Sequence, residues 1–272
     1  MTKRVVLIGN PVARSRSPAF QNAAFRTAGI DARYDLAEIT PDALPTTVAM
    51  LRGADWLGAN VTIPYKEAVL PLMDAVSDEA RAVGAVNTIT NRDGQLYGAN
   101  SDISGFAAAL REESVNVTGQ TVLLLGAGGS ARAVAMAVRR MGAARLVIAN
   151  RTAVRAEAVA ALWADGNATA TALDSPLLHD TLPAAALVVN TIPVGLYADA
   201  SPLAGELLTL LPPTATVYDC VYGRTPLLRT AETRGLRAID GLGMLIHQGA
   251  VSWEIWTGRP APLTVMWAAV RP

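Results

Sequence analysis

Short apolar runs recur along this 272-residue chain, each followed by a polar or glycine-containing turn and a segment of helical composition. Strands that alternate with helices in this way pack into a largely parallel sheet, because each helix must cover a face of the sheet before the next strand begins. The pattern therefore predicts an α/β fold. The clearest predicted strands are Val5–Ile8, Trp56–Val61, Thr121–Leu125, Arg145–Ala149, Leu187–Asn190 and Thr216–Tyr218.

Prolines and capping residues predict where helices begin and end. Ser17 followed by Pro18 is typical of an N-cap and a first helical residue, and Gly29 marks the far end of that helix. Two further helices are predicted over Pro64–Leu70 and Leu242–Trp256.

The order of the elements predicts two domains. With 272 residues and 51% hydrophobic content, the chain is long enough to build two cores. A break near Ser104 separates a first α/β domain, residues 1–104, from a domain of the dinucleotide-binding type, residues 105–240.

Charge and cysteine content exclude several classes of protein. Lys+Arg and Asp+Glu both number 23, so no net field gathers nucleic acid or an anionic membrane. Cys220 is the single cysteine and cannot form an intrachain disulfide, and His179 and His247 lie in no ligand or nucleophile pattern. We expect a soluble, cytoplasmic protein without a metal site, because the sequence also has no signal-peptide pattern or long apolar span.

A glycine-rich turn indicates a nucleotide site. GAGGSA follows the predicted strand Thr121–Leu125, precedes a segment of helical composition and fits G-x-G-x-x-A. Gly126 permits the tight turn, Gly128 lets the backbone approach a pyrophosphate, and Ala131 allows close helix packing. A plain tight turn is the alternative. The candidate cofactor-binding residues are Gly126, Ala127, Gly128, Gly129, Ser130 and Ala131.

The end of the next strand favours NADP over NAD. An NAD site usually has Asp or Glu there to bind the ribose diol, whereas this chain has Asn150, Arg151 and Thr152, followed by Arg155. Two guanidinium groups four residues apart could converge on a 2′-phosphate. The alternative is a pair of solvated arginines at a helix start.

Polar residues at the ends of other apolar runs suit a small, hydroxylated acid. Ser15 and Ser17 can face the same side near a helix N-terminus, where a carboxylate is favoured, although Ser17 could simply cap the helix. The neutral residues Asn60, Thr62, Asn87, Asn100 and Gln248 suit hydroxyls, and each has an alternative as a cap, a turn residue or a wetted helix residue.

Lys66 lies just past a predicted strand end in NVTIPYKE, and Asp102 lies in GANSDISG. A lysine is normally protonated near neutral pH and can donate a proton. Taken alone, Lys66 could be an exposed helix lysine and Asp102 the N-cap of a helix over Ile103–Glu113.

Four segments taken in order, GNPVARSRSP from Gly9, NVTIPYKE from Asn60, GANSDISG from Gly98 and GAGGSA from Gly126, resemble the shikimate dehydrogenases. The resemblance spans essentially the whole chain. It implies a substrate domain, a Rossmann-type NADP-binding domain and a C-terminal segment, residues 241–272, that packs back on the first domain. The implied reaction is the reversible, NADP-dependent reduction of 3-dehydroshikimate to shikimate in aromatic amino acid biosynthesis, by a monomer or homodimer.

The resemblance also implies residue roles. Lys66 and Asp102 would carry the chemistry, Ser15 and Ser17 would hold the substrate carboxylate, and Gly241 would approach the nicotinamide. The residues implied to surround the hydroxyls or to lie near the pocket are Thr62, Asn87, Asp102, Gln248 and Tyr222. Asn60 receives no role.

This chain departs from the family pattern at Arg14, where histidine is common, and at Ala99 and Ile103, where many relatives carry Asp and Gly. Some quinate-using relatives have threonine at the second serine of S-x-S, so Ser17 favours shikimate. The alternatives are a quinate or broad-specificity member of the family and a non-catalytic, nucleotide-binding regulatory relative.

Overall fold

The structure is a computed structural model that describes residues 2–271, with all side chains in that range except those of Leu196 and Tyr197. The chain divides into two compact units. Unit 1 comprises Met1–Gly105 and Leu245–Pro272, and unit 2 comprises Phe106–Met244.

Unit 1 is built on a six-stranded mixed sheet. Its strands are β1 Lys3–Gly9, β2 Ala32–Glu38, β3 Trp56–Val61, β4 Ala75–Val76, β5 Thr88–Arg92 and β6 Gln95–Ala99, in the spatial order β2-β1-β3-β5-β6-β4. Its helices are α1 Ser17–Thr27, α2 Leu44–Met50, α3 Asp78–Val83, the start of α4 Asp102–Glu112, most of α10 Leu242–Thr257, and α11 Leu263–Ala268.

Strand direction brings two loops of unit 1 to the same edge of the sheet. β1 runs parallel to both β2 and β3, and Ile8 pairs with Val61 near the carboxyl ends. The last five residues of β1 are buried, as expected for a strand with both faces covered. The loops that leave β1 and β3, which carry the predicted serines and Lys66, therefore emerge side by side.

The predicted N-cap of α1 is wrong by one residue. Arg16, not Ser17, occupies the N-cap of α1, and the Ser17 amide donates to Ser15 Oγ at 3.2 Å. Ser15 thus supplies the local acceptor, which leaves the Ser17 side chain for other contacts. Gly29 follows the helix with φ +64°, as a helix-ending glycine should.

The predicted helix over Pro64–Leu70 is replaced by turns and a short 3-10 helix, Leu70–Leu72. Within the turns, the Val69 amide donates to the Tyr65 carbonyl, but the pattern does not continue. Pro71 has no backbone N–H to donate to the Glu67 carbonyl four residues earlier, so an α-helical hydrogen-bond pattern cannot continue past Leu70.

Unit 2 contains a six-stranded parallel sheet. Its strands are β7 Thr121–Leu125, β8 Arg145–Ala149, β9 Ala168–Thr171, β10 Ala185–Asn190, β11 Thr216–Asp219 and β12 Arg237–Ile239, in the order β12-β11-β10-β7-β8-β9. Its helices include α5 Gly129–Arg140, α6 Ala153–Ala160, α7 Pro176–Thr181, α8 Val194–Tyr197 and α9 Pro226–Thr233. The core covering one face is formed by residues such as Leu123, Val147 and Val188.

The strand order of unit 2 confirms the predicted α/β class and its Rossmann-type half. β7, the first strand along the chain, lies in the middle, with β8 and β9 to one side and β10 to β12 to the other. In such a doubly wound sheet, ligands bind outside the carboxyl ends of the strands where the order reverses. The turn after β7 lies at this point. Each of the six strands predicted from the sequence is present.

Candidate functional site

Lys66 and Asp102 form an ion pair in unit 1. Lys66 Nζ lies 2.6 Å from Asp102 Oδ2, and the two side chains are only 11% and 5% exposed. So little water reaches the pair that each charge depends on its partner. Lys66 is therefore not the exposed helix lysine of the alternative interpretation. Asp102 is the first residue of α4, and its carboxylate binds the ammonium instead of capping the helix.

Asn87 completes the hydrogen bonding of the carboxylate. This residue lies just before β5, and its Nδ2 donates to Asp102 Oδ1 at 2.8 Å. Both oxygens of Asp102 thus have a donor, the ammonium on one and the amide on the other. An oriented carboxylate beside a protonated amine can hold and exchange a proton with a bound hydroxyl or carbonyl.

Gln248 reaches the same group from α10. Its Oε1 lies 3.4 Å from both Asn87 Nδ2 and Ser101 Oγ, and its Nε2 donates to the Leu245 carbonyl. This approach requires Gly105 in α4, because a Cβ there would fall 2.6 Å from Gln248 Cβ. Gln248 is therefore not a wetted residue on an open helix face.

The two predicted carboxylate-binding serines lie in the loop after β1 and at the start of α1. Ser15 is half-buried, whereas Ser17 is 4% exposed and its hydroxyl lies close to the buried phenol of Tyr34. Burial raises the pKa of Tyr34 well above its usual value, and the neighbouring Ser17 hydroxyl acts in the opposite direction. Tyr34 consequently remains a neutral donor, and its hydroxyl donates to Asn60 Oδ1 at 2.9 Å.

The other predicted polar residues differ in what they contact. Asn60 is 4% exposed and turns its side chain inward, where Nδ2 donates to the Asn87 carbonyl at 3.0 Å. Asn100 binds backbone groups, with Nδ2 donating to the Ala85 carbonyl and Oδ1 accepting the Asp102 amide. Thr62 is half-buried in the loop that leads to Lys66, and no helix follows it to be capped.

Three residues of this polar group were not identified from the sequence. Thr88, Ser101 and Ser252 are at most 1% exposed, and their hydroxyls lie within hydrogen-bond distance of one another. Thr88 and Ser101 each adjoin a predicted site residue, which was a usable signal. Ser252 lies one helical turn after Gln248, and only the packing of α10 reveals its position.

The glycine turn of unit 2 has the backbone geometry that a pyrophosphate site needs. Gly126 has φ +104°, and a Cβ there would lie 2.4 Å from Thr191 Oγ1, so only glycine fits. Gly128 precedes α5, and its Cβ position has no neighbour within 4 Å in the described part of the chain, which leaves space for a ligand. Ala131 is fully buried against the sheet. The first amides of α5, from Gly129, Ser130 and Ala131, have no acceptor within the helix itself.

The segment after β8 carries the predicted phosphate-binding arginines. Asn150 Nδ2 donates to the Thr152 carbonyl at 3.0 Å, which shapes the turn, and Thr152 is the N-cap of α6. Arg151 and Arg155 are both exposed, one before and one within the first turn of α6. Both guanidinium groups are therefore accessible to an anion.

A buried hub supports the carboxyl ends of β10 and β11. Asp219 accepts hydrogen bonds from Asn190 Nδ2 at 2.8 Å, Thr225 Oγ1 at 2.7 Å and the Val221 amide at 3.0 Å. Burial raises the pKa of the Asp219 carboxyl, and these three donors oppose the shift. The hub shapes the loop that carries Tyr222, which is half-buried and belongs to unit 2. The sequence did not indicate this group around Asp219.

Gly241 also has a packing role in unit 2. A Cβ at this position would lie 2.1 Å from the Cys220 carbonyl oxygen, so the backbone approach itself requires glycine. Its predicted contact with the nicotinamide remains a prediction.

Comparison with known proteins places the chain in a family. Residues 7–89 match the family model described as shikimate dehydrogenase substrate binding domain, residues 108–192 match shikimate / quinate 5-dehydrogenase, and residues 241–271 match shikimate 5′-dehydrogenase C-terminal domain. The chain is also 46% identical over 266 residues to the shikimate dehydrogenase (NADP(+)) of Symbiobacterium thermophilum, covering 96% of this chain and 90% of that protein. The chain belongs to the shikimate dehydrogenase family.

Solved structures of the shikimate dehydrogenase family have the same fold. The shikimate 5-dehydrogenase of Thermus thermophilus, in complex with NADP(H) and shikimate, is 38% identical, with a TM-score of 0.87 and 98% coverage of both chains. The quinate dehydrogenase of Corynebacterium glutamicum, in complex with NAD, is 30% identical, also with a TM-score of 0.87 and 98% coverage of both chains. The fold alone therefore does not choose between shikimate and quinate.

Two of the three departures of this shikimate dehydrogenase family member from the expected motifs lie in β6 and α4, and the third lies in an exposed loop. Ile103 is 2% exposed in the first turn of α4, and Ala99 ends β6 opposite Thr88. Arg14 is exposed in the loop before α1. None of these residues interrupts the contacts among Lys66, Asp102 and Asn87.

The two histidines of this family member lie in surroundings unlike a metal site. His247 packs edge-on against Trp267, and His179 is exposed in α7. Across residues 2–271, no three His, Cys, Asp or Glu side chains cluster as metal ligands would. In that same range, no helix is both long enough and apolar enough to cross a bilayer.

Proposed function

We propose that this protein is an NADP-dependent shikimate dehydrogenase that reversibly reduces 3-dehydroshikimate to shikimate. The observation that carries the proposal is the ion pair of Lys66 and Asp102, nearly buried and held by Asn87. A regulatory relative without activity would not need a charged pair at so buried a position, because burying two charges costs desolvation energy.

Lys66 is the proton donor in the direction of reduction. The C3 carbonyl oxygen of 3-dehydroshikimate becomes a hydroxyl, so one proton must reach that oxygen while the hydride reaches C3. The ammonium supplies this proton, and Asp102 orients the ammonium and accepts a hydrogen bond from the new hydroxyl. In the direction of oxidation, the neutral amine of Lys66 receives the hydroxyl proton, and Asp102 holds the hydroxyl by a hydrogen bond.

Arginine could not replace lysine in this role, because a guanidinium does not give up its proton near neutral pH. The chain has 21 arginines and only two lysines, Lys3 and Lys66. One of these two lysines lies at the proposed site of proton transfer, which supports the proposal.

The turn after β7 fits a dinucleotide. Positive φ at Gly126 and the empty space beside Gly128 form a cradle in which a pyrophosphate would meet backbone amides. Arg151 and Arg155 would bind the 2′-phosphate, which favours NADP over NAD. When bound, NADPH supplies the hydride for reduction, and NADP⁺ accepts it in oxidation.

The substrate would be held by groups that match its chemistry. Ser15 and Ser17 would bind the carboxylate, while Thr62, Asn87 and Gln248 would bind hydroxyls. Tyr222 completes the proposed substrate-binding set, and Gly241 is proposed to approach the nicotinamide. Quinate carries an extra hydroxyl on the carbon that bears the carboxylate, which would lie next to Ser17, and Ser17 is only 4% exposed. We therefore propose shikimate as the preferred acid, by roughly 10- to 100-fold in kcat/KM.

The test follows reduction of NADP⁺ and NAD⁺ with shikimate and quinate offered separately. We expect shikimate with NADP⁺ to give the highest kcat/KM of the four combinations. Comparable values for the two acids would favour the broad-specificity alternative, and no reduction with either acid would refute the proposed enzyme. We further propose that the reaction takes place in the cytoplasm. The enzyme is proposed to be a monomer or a homodimer, and sedimentation of the purified chain would distinguish these two states.

A further inference from the structure

Three buried hydroxyls form a closed cluster beside the ion pair. Thr88 Oγ1 lies 2.8 Å from Ser252 Oγ and 3.1 Å from Ser101 Oγ, and the two serine oxygens are 3.1 Å apart. All three residues are at most 1% exposed. They come from β5, from the loop before α4 and from α10, so the cluster joins three distant parts of unit 1. We refer to Thr88, Ser101 and Ser252 as the hydroxyl cluster.

The Asn60 side chain and the Gln248 backbone carbonyl hold Ser252 of the hydroxyl cluster in place. Asn60 Nδ2 donates to Ser252 Oγ at 2.9 Å, and Ser252 Oγ donates to the Gln248 carbonyl at 3.0 Å. The single hydrogen of Ser252 is thereby used. Thr88 and Ser101 both reach Ser252 Oγ and also reach Asn87 Oδ1, at 3.1 and 3.2 Å respectively. One of the Thr88 and Ser101 hydroxyls can therefore donate to Ser252 Oγ while the other donates to Asn87 Oδ1.

The Ser101 backbone N–H and the Asp102 carboxylate decide which way the Asn87 amide points. Its Oδ1 accepts the Ser101 backbone N–H at 2.7 Å, a group that can only donate. Its Nδ2 donates to Asp102 Oδ1 and to Ser101 Oγ, the latter at 2.9 Å. Rotation of the amide by half a turn would place its NH₂ group against the Ser101 backbone N–H. The same rotation would place its oxygen against the Asp102 carboxylate. In a buried site, both mismatches are costly.

We infer that the hydroxyl cluster positions Asn87, and through it the Asp102 carboxylate, for proton transfer with Lys66. Thr88, Ser101 and Ser252 are positioning residues in this inference, because the Thr88 and Ser101 hydroxyls contact Asn87, which in turn holds the Asp102 carboxylate. The inference rests on the proposed function for its kinetic consequence, but its geometric consequence holds independently of the substrate.

The test uses two matched substitutions on one strand. Thr88→Val removes a hydroxyl of the cluster and nearly keeps the shape of the side chain. Thr90→Val makes the same change two residues further along β5, on the same face, at a buried hydroxyl without a hydrogen-bond partner among the described residues. Thr90→Val therefore controls for the loss of a buried hydroxyl from this strand.

We expect Thr88→Val to lower kcat for shikimate oxidation by about 10-fold, since misplacement of a catalytic group slows chemistry more than binding. The KM for NADP⁺ should stay within about twofold, and Thr90→Val should leave both constants near their wild-type values. Ser252→Ala should repeat the loss of kcat, and Thr88→Ser, which restores the hydroxyl, should recover most of it. Equal rates for Thr88→Val and Thr90→Val would overturn the inference, as would a Thr88→Ser variant as slow as Thr88→Val.

Crystal structures of Thr88→Val and Ser252→Ala provide a readout that does not depend on activity. We expect the contact between Asn87 Nδ2 and Asp102 Oδ1, 2.8 Å in the native protein, to lengthen or to split into two conformers. Unchanged contacts in both variants would overturn the inference even if shikimate is not the substrate. Conversely, a wild-type protein that is inactive with shikimate, together with displaced Asn87 in the variants, would refute only the proposed function.

Discussion

The glycine turn of unit 2 and the ion pair of unit 1 are built in opposite ways. The turn occupies six consecutive residues, Gly126–Ala131, and acts through backbone conformation and a helix N-terminus. The ion pair and its supports are side chains far apart in the chain, since Ser101 and Ser252 are separated by 151 positions. A backbone site can therefore be encoded locally, whereas a side-chain site depends on how distant segments pack.

The largest effect should come from Lys66, the side chain on which the unit 1 site depends. Lys66→Ala should lower kcat by roughly 100-fold or more, because a positioned acid or base contributes that much. Lys66→Arg should be similarly slow, since it keeps the charge but cannot release the proton. Initial rates at saturating shikimate and NADP⁺ test this expectation.

Lys3→Ala is the matched control for Lys66. Lys3 is the only other lysine, it is exposed, and its ammonium donates to the Ala54 carbonyl. Its removal should leave kcat unchanged. A Lys66→Arg variant with full activity would show that the site needs only a positive charge, and the assignment of Lys66 as proton donor would be wrong.

Arg151 tests whether the second site also depends on a side chain. Arg151→Ala should raise the KM for NADP⁺ relative to that for NAD⁺ by about 10- to 100-fold, equivalent to the roughly 1.5–3 kcal/mol of a hydrogen bond to a charged group. The measurement is the ratio of kcat/KM for the two cofactors in variant and wild type. Equal efficiency of the wild type with both cofactors would contradict the NADP assignment.

Two glycines separate the folding role of the turn from its binding role. Gly126→Ala should lower the free energy of unfolding by about 1–3 kcal/mol, because it forces a side chain into positive φ and into Thr191. Gly128 has an ordinary φ, and the space at its Cβ position is open. Gly128→Ala should therefore leave the free energy of unfolding unchanged while it weakens NADP⁺ binding. Urea unfolding and cofactor titration distinguish the two. The distinction fails if both variants lose stability equally.

The smallest effect should come from an exposed ion pair of unit 1. Arg52 Nη1 lies 2.5 Å from Asp74 Oδ2, but the side chains are 38% and 31% exposed. Arg52 lowers the pKa of the Asp74 carboxyl, so the stabilisation exists above the ordinary aspartate pKa of about 3.9 and is lost as pH falls through the lowered value. Such exposed pairs contribute little in general.

Arg52→Gln should therefore be slightly less stable than wild type near neutral pH, and the difference should vanish in strong acid. Urea midpoints for both proteins across this range provide the measurement. A difference that persists below the pKa of Asp74 would mean that Arg52 acts through other contacts, such as its bond to the Gly94 carbonyl.

The elements with a strong local pattern were predicted well, and those without one were not. β3, β7 and β8 begin and end at the predicted residues, because runs of apolar residues bounded by turns leave few alternatives. The segment Pro64–Leu70 was predicted as a helix from its composition and forms turns instead. Pro71, just after this segment, was a local signal against a continued helix, because proline has no backbone N–H to donate.

By itself, the sequence determined the fold class, the family and the glycine turn, because these depend on periodicity and on residues adjacent in the chain. It also indicated Lys66 and Asp102 through the motifs around them. Only the tertiary structure decided that these two side chains meet at 2.6 Å, that Asn60 faces inward, and that Thr88, Ser101 and Ser252 share hydrogen bonds. The physical reason is that a hydrogen bond between side chains requires a separation of about 3 Å, and for residues far apart in sequence that separation is set by the packing of whole helices and strands.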